Sequence, residues 1–148
     1  MKIFSLIIIF LFASIQSFSQ TELKYYVTEN TANLDLPFSN AVIVGNMIYL
    51  SGNIGINPET GKLAPGGIKA ETRQTLENIK AVLEANGSSL DQAIKITVML
   101  ADIKEWETMN EVYKQFFLDK RPARSAFGTS GLALNARLEI ECIALIKQ

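Results

Sequence analysis

Hydrophobic positions fall into three patterns along this chain, and each predicts a different kind of segment. After Met1-Lys2 comes "IFSLIIIFLFA", an apolar run broken only by Ser5, and then "SIQSFSQ", with small residues at Ser17 and Ser19. A positive start, a short apolar run and small residues ahead of Gln20 form the three-part pattern of a secretory signal peptide. A transmembrane anchor would need about 20 apolar residues. Here Gln16 arrives too early and no basic stop-transfer cluster follows. The expectation is therefore a leader over residues 1–19, export to the periplasm or exterior, one domain over 20–148, and no membrane segment after cleavage.

Period-two and helical patterns take over beyond the leader. "LKYYVT" (Leu23–Thr28) predicts a short strand, and "AVIVGNMIYLSG" predicts a hairpin turning at Gly45-Asn46. "NPETGKLAPGG" gathers Pro58, Gly61, Pro65, Gly66 and Gly67 and predicts a loop. From Ile68 to Asn86 the stripe Ile68, Thr72, Leu76, Ile79, Leu83 has helical spacing, with Gly87 as its stop. "AIKITVML" alternates as a half-buried strand. Asp102 followed by Glu105 resembles a capping box and opens a second helix, with Trp106, Met109, Tyr113, Phe116 and Phe117 inward and Pro122 ending it. "RSAFGT" and "ARLEIECIALI" predict two closing strands.

That order predicts an α+β domain, one sheet with both helices on a single face. A helix crossover between the hairpin and Ile94–Leu100 places at least one parallel pair in the sheet. "MIYL", "ITVML" and "LEIECIALI" carry more apolar surface than two helices hide, which predicts self-association.

Composition narrows the chemistry. The chain has 148 residues, with 14 Lys+Arg and 15 Asp+Glu; loss of Lys2 with the leader leaves a net charge of −2. The single cysteine, Cys142, allows no internal disulfide and reads as a small buried residue. With no histidine there is no Ser-His-Asp or Cys-His nucleophile system, and almost every zinc site is excluded. The glycines match no phosphate-cradling motif. Carboxylates, arginine, hydroxyls, backbone groups and water are left to do any chemistry.

Four stretches carry a family resemblance: "VGNMIYLSGNIGINPETGKL", "ETRQTLENIKAVLEANGSSLDQAIKITVML", "MNEVYKQFF" and "RPARSAFGTSGLALNARLEIECIA". Together they resemble the RidA (YjgF) family of 2-iminobutanoate/2-iminopropanoate (enamine/imine) deaminases, from about Thr28 to the end. The last stretch is the most specific, an Arg-Ser turn followed by an Ile-Glu-type strand. The resemblance implies a chorismate-mutase-like α+β fold of about six mixed strands, a homotrimer with a central barrel, and active sites in clefts between subunits. It implies hydrolysis of 2-imino acids to 2-oxo acids and ammonia without a cofactor.

Within that resemblance, Arg124 matches the arginine that grips the substrate carboxylate through two parallel hydrogen bonds. Without it, Arg124 reads as a strand-edge arginine paired with an acid. Glu139 matches the carboxylate that positions water, where one carboxyl group near its pKa can move protons both ways. Alternation puts Glu139 and Glu141 on one face with Arg137, opposite Leu138, Ile140 and Cys142. Burial would raise the pKa of Glu139 and a nearby Arg124 would lower it. Ser51 and Gly52 match substrate-facing positions and also read as an ordinary strand-end turn. Asn110, on the apolar stripe, reads equally as a buried loop tie or a cleft-lining amide. Phe38 stands where the family often has tyrosine, Ala126 where it often has cysteine, and Leu132-Ala133 where Leu-Pro is usual; Phe38 keeps the ring that walls the pocket but loses a hydroxyl, and Ala126 mainly enlarges the pocket. The alternatives are a non-catalytic 2-oxo acid binder and a holdase on the same scaffold. RNA binding would call for a basic patch with stacking aromatics, and the net charge of −2 argues against it.

Overall fold

The computed structural model describes residues 22–147. The signal peptide expected at residues 1–19 lies outside the described residues. Gly45 adopts the left-handed φ of 60° that a tight two-residue turn demands, so the hairpin forms where the sequence places it. Its strands are β2 (Ala41–Val44) and β3 (Met47–Ile54), with β1 (Leu23–Tyr26) antiparallel to β2. Between β1 and β2 lies a five-residue helix, α1 (Glu29–Asn33), absent from the sequence expectation; the Thr28 hydroxyl caps it by accepting from the Thr31 N–H at 3.3 Å. The expected loop after β3 holds a two-stranded ribbon, β4 (Ile56–Asn57) with β5 (Lys62–Leu63), turned at Gly61.

Helix α2 (Ile68–Ala85) buries the whole predicted stripe, and adds Glu71, Thr75 and Val82 to it. Thr72 sits fully buried because its hydroxyl donates to the Ile68 carbonyl at 2.6 Å. Each large aliphatic side chain on this face contributes about 1.5–3 kcal/mol by leaving water. Strand β6 (Ala93–Leu100) follows, then a 3₁₀ turn, Ile103–Glu105, then α3 (Trp106–Phe116). Asp102 does cap, but its side chain accepts from Lys104 N–H and opens the 3₁₀ turn, while the Glu105 carboxylate is taken by Arg137. Helix α3 stops at Phe116, well before Pro122. Strands β7 (Ala123–Gly128) and β8 (Leu138–Leu145) complete the chain.

The six long strands form one sheet in the order β1-β2-β3-β8-β6-β7. Its one parallel neighbour pair is β6 with β7, joined across α3. The crossover through α2 leaves β3 and β6 parallel as well, but β8 slots between them and pairs antiparallel with both. The core lies between sheet and helices, where Ile48, Leu50, Ile96, Val98, Leu138, Ile140 and Cys142 meet Leu76, Ile79, Leu83 and Met109. On the opposite face Tyr25, Val42, Tyr49 and Ile143 stand in register across four strands, and both tyrosines are exposed. This is the uncovered apolar face that the strand patterns predict. Among the described residues no helix is long and apolar enough to cross a membrane.

Candidate active site

Arg124 is in register with Ile96 and Cys142, so it points to the helix-covered face of the sheet, at its β7 edge. Three residues of α3 receive it. The guanidinium carbon lies 4.6 Å from the Tyr113 ring centre and 5.2 Å from that of Trp106. Its Nη1 donates to Asn110 Oδ1 at 2.7 Å. Trp106, Asn110 and Tyr113 fall at spacings of four and three, one helix face, and that alone brings them to one cation. Asn110 is thus no loop tie; it lines the cleft beside Arg124 and holds the arginine. No carboxylate among the described residues pairs with Arg124, so a strand-edge salt bridge does not describe it. Its remaining N–H donors stay available to an anion. Ala126, two residues on, shares this face and packs against the core.

Glu139 belongs to another part of the molecule. It pairs with Ile54 on one side and Met99 on the other, on the face away from the helices. The β3–β8 register slips between Leu50 and Asn53, so Ser51 and Gly52 together oppose Glu141 as a bulge. They therefore lie inside β3 and not at its end. The Glu139 carboxylate folds over this bulge: a Cβ on Gly52 would sit 1.8 Å from Oε1. The Ser51 hydroxyl donates to the Ser39 carbonyl at 2.7 Å and the Ser51 N–H donates to Asn40 at 3.1 Å. Those two bonds pin the Phe38 segment beside the bulge, with the Phe38 ring 47% exposed. Burial, and then the like charge of Glu141, push the Glu139 carboxyl above the ordinary carboxylate range.

The structure therefore assembles the sequence-derived residues as two halves, Arg124, Asn110 and Ala126 in one, Glu139, Gly52, Ser51 and Phe38 in the other. Two strand spacings and three residues of rise separate Arg124 from Glu139, roughly 14 Å between Cα atoms, and they project from opposite faces. Sequence reasoning missed the aromatic seat of Arg124 and the Tyr113 hydroxyl, which is buried without a hydrogen-bond partner. It also missed Glu71, which is buried and accepts the Arg137 N–H at 2.8 Å, tying α2 to the start of β8. Burial pushes the Cys142 thiol up to about 12, so it stays a neutral core group. Among the described residues no three His, Cys, Asp or Glu converge as a metal set.

The family model described as Endoribonuclease L-PSP matches residues 29–146. This chain belongs to the RidA (YjgF) family. A bovine 2-iminobutanoate/2-iminopropanoate deaminase (Bos taurus) is 45% identical over 109 residues, 74% of this chain and 80% of that one. Among solved structures, the E. coli YjgF gene product aligns with a TM-score of 0.77 at 37% identity, covering 84% of this chain and 99% of its own. E. coli TdcF with bound serine aligns with a TM-score of 0.71 at 38% identity, covering 75% and 89%. These RidA-family structures share the mixed sheet with its helices.

Proposed function

We propose that this protein hydrolyses 2-imino acids to 2-oxo acids and ammonia, in clefts that two copies complete together. The observation that carries this is Arg124: a cation held by one amide and two aromatic rings, with no acid opposite it. A guanidinium so seated presents a planar fork to a substrate carboxylate. The deaminase names of relatives support the reaction, and the serine in TdcF carries the carboxylate and nitrogen that an imino acid also presents.

In this reading Arg124 of one copy faces Glu139 of its neighbour, because one chain directs them to opposite faces. The uncovered apolar face supplies the surface for a homotrimer. Glu139 positions water, whose oxygen adds to the C=N carbon while a proton passes to nitrogen. Glu139 then takes the carbinolamine hydroxyl proton and passes it to the amine nitrogen, so that the C–N bond breaks, ammonia leaves, C=O forms and the carboxyl group ends as it began. A carboxyl held above its usual range exchanges protons near neutral pH more readily than an ordinary one. Export through residues 1–19 belongs to the same reading, and a mature N-terminus at Gln20 in fractionated cells is its check.

The test couples an L-amino acid oxidase to the purified protein and follows 2-oxo acid formation against trapping of the imine by semicarbazide. Arg124→Ala and Glu139→Ala should each abolish the acceleration. Denatured together and refolded as a mixture, they should regain about a quarter of wild-type activity, since a quarter of randomly composed clefts then hold both side chains. A wild-type protein that accelerates no imine, or a mixture that regains nothing, refutes the proposal.

A further inference from the structure

The cleft beside Arg124 holds more positive charge than a single carboxylate needs. It has a volume of about 240 Å³ and is lined by Lys114 and Arg121 as well as Asn110, Tyr113, Phe117 and Arg124. Lys114 lies one helical turn beyond Asn110, about 6 Å along α3. Arg121 enters from the extended segment leading into β7. Three cations thus line one small cleft with no acid among the lining residues. The ion pairs among the described residues are Lys69–Glu111 and Arg137–Glu105, and neither lies in this cleft. Glu111, one turn before Lys114, pairs with Lys69 at 2.7 Å and also feels the Lys114 charge, from outside the cleft lining. Tyr113, only 7% exposed, also lines this cleft, its hydroxyl oxygen closed off from solvent. Positive side chains around an apolar-walled cleft raise the local concentration of anions.

We infer that this cleft recognises a second acidic group on the substrate, so that the preferred imines are those of acidic amino acids. This rests on the deaminase reading above. One carboxylate is held by Arg124, and the other reaches Lys114 and Arg121. The volume is below the range of drug-sized pockets and suits a short dicarboxylate. Lys114 and Arg121 act as specificity-determining residues, and because both are exposed their effect is modest and salt-sensitive.

The experiment compares imines of aspartate and glutamate with imines of alanine and 2-aminobutyrate in the oxidase-coupled assay. The readout is the ratio of kcat/KM, dicarboxylate over monocarboxylate. Lys114→Ala and Arg121→Ala should each lower this ratio about two- to fivefold, and together about tenfold, as exposed charge pairs do. The wild-type ratio should fall as salt is raised. A ratio unchanged in the double variant, with turnover of both classes intact, overturns the inference and leaves the deaminase reading standing. If the wild-type protein turns over no imine, calorimetry with 2-oxoglutarate and pyruvate decides. Preference for 2-oxoglutarate that vanishes in the double variant upholds the second acidic site, whereas equal or absent binding overturns it.

Discussion

Gly52→Ala tests the geometry of the Glu139 half most directly. The added Cβ would lie 1.8 Å from Glu139 Oε1 and 2.7 Å from its Cδ, whereas ordinary contact begins at 3.4 Å. The carboxylate must therefore retreat by about 1.6 Å. It is the end of a flexible side chain, so it can retreat by changing rotamer at a cost of about 0.5–1.5 kcal/mol. Catalysis has less tolerance: a misplacement of 1 Å costs about a hundredfold. The expected variant is folded, melts within a few degrees of wild type, and loses at least about a hundredfold in kcat with KM little changed. Circular dichroism melts and oxidase-coupled kinetics on one preparation measure both quantities. A folded Gly52→Ala protein with kcat within threefold of wild type would show that Glu139 over the bulge is not the working carboxylate. Gly55→Ala provides the contrast. There the Cβ would meet Glu71 Cα at 2.7 Å and its carbonyl at 2.8 Å. Backbone cannot step aside, so about 1–3 kcal/mol of stability should be lost in urea unfolding.

Three further outcomes follow. Arg124→Lys keeps the charge but loses the fork and the ring stacking, so kcat/KM should fall about ten- to a hundredfold by steady-state kinetics; an unchanged value would reduce Arg124 to a point charge. Glu71→Ala strands the Arg137 N–H and should cost about 1–3 kcal/mol in urea unfolding, while a change below about 0.5 kcal/mol would mean water replaces the carboxylate fully. Glu141→Gln removes the like charge beside Glu139, so the acid limb of the pH–rate profile should move to lower pH.

Much of the fold was legible because its signals are local. Gly45-Asn46 specifies a turn, the stripe from Ile68 to Leu83 specifies one buried helix face, and alternation in "LEIECIAL" separates Leu138, Ile140 and Cys142 from Glu139 and Glu141. Helix α1 was hidden because five residues carry too little periodicity, and only the Thr28 cap marks it. The β4–β5 ribbon is two residues a side, shorter than any alternation test can resolve. Asp102 and Glu105 have capping-box spacing, yet Arg137, far along the chain, takes the glutamate. Strand order was hidden for the same reason: the sequence shows that α2 crosses from β3 to β6 but not that β8 inserts between them. At the site, alternation predicts the face of each residue relative to its own strand. It does not relate the face of β7 to that of β8, so the opposed directions of Arg124 and Glu139 emerge only with the register.

That opposition bears on how Glu139 works. An arginine within about 4–6 Å of a carboxylate lowers its pKa, and among the described residues of one chain no cation offsets the upward push of burial and Glu141. In the composite cleft proposed above, the neighbour's Arg124 would supply such a cation while the cleft is empty. Once a substrate carboxylate pairs with that arginine, the local charge is cancelled and the upward push returns. The proton affinity of Glu139 then rises as the imine arrives, at the moment when a proton must be held for the nitrogen. In that reading, clamp and carboxylate on separate faces of one sheet, joined through a second copy, would make the proton affinity depend on occupancy of the cleft. An arginine packed permanently against Glu139 in its own chain would hold its pKa down with or without substrate.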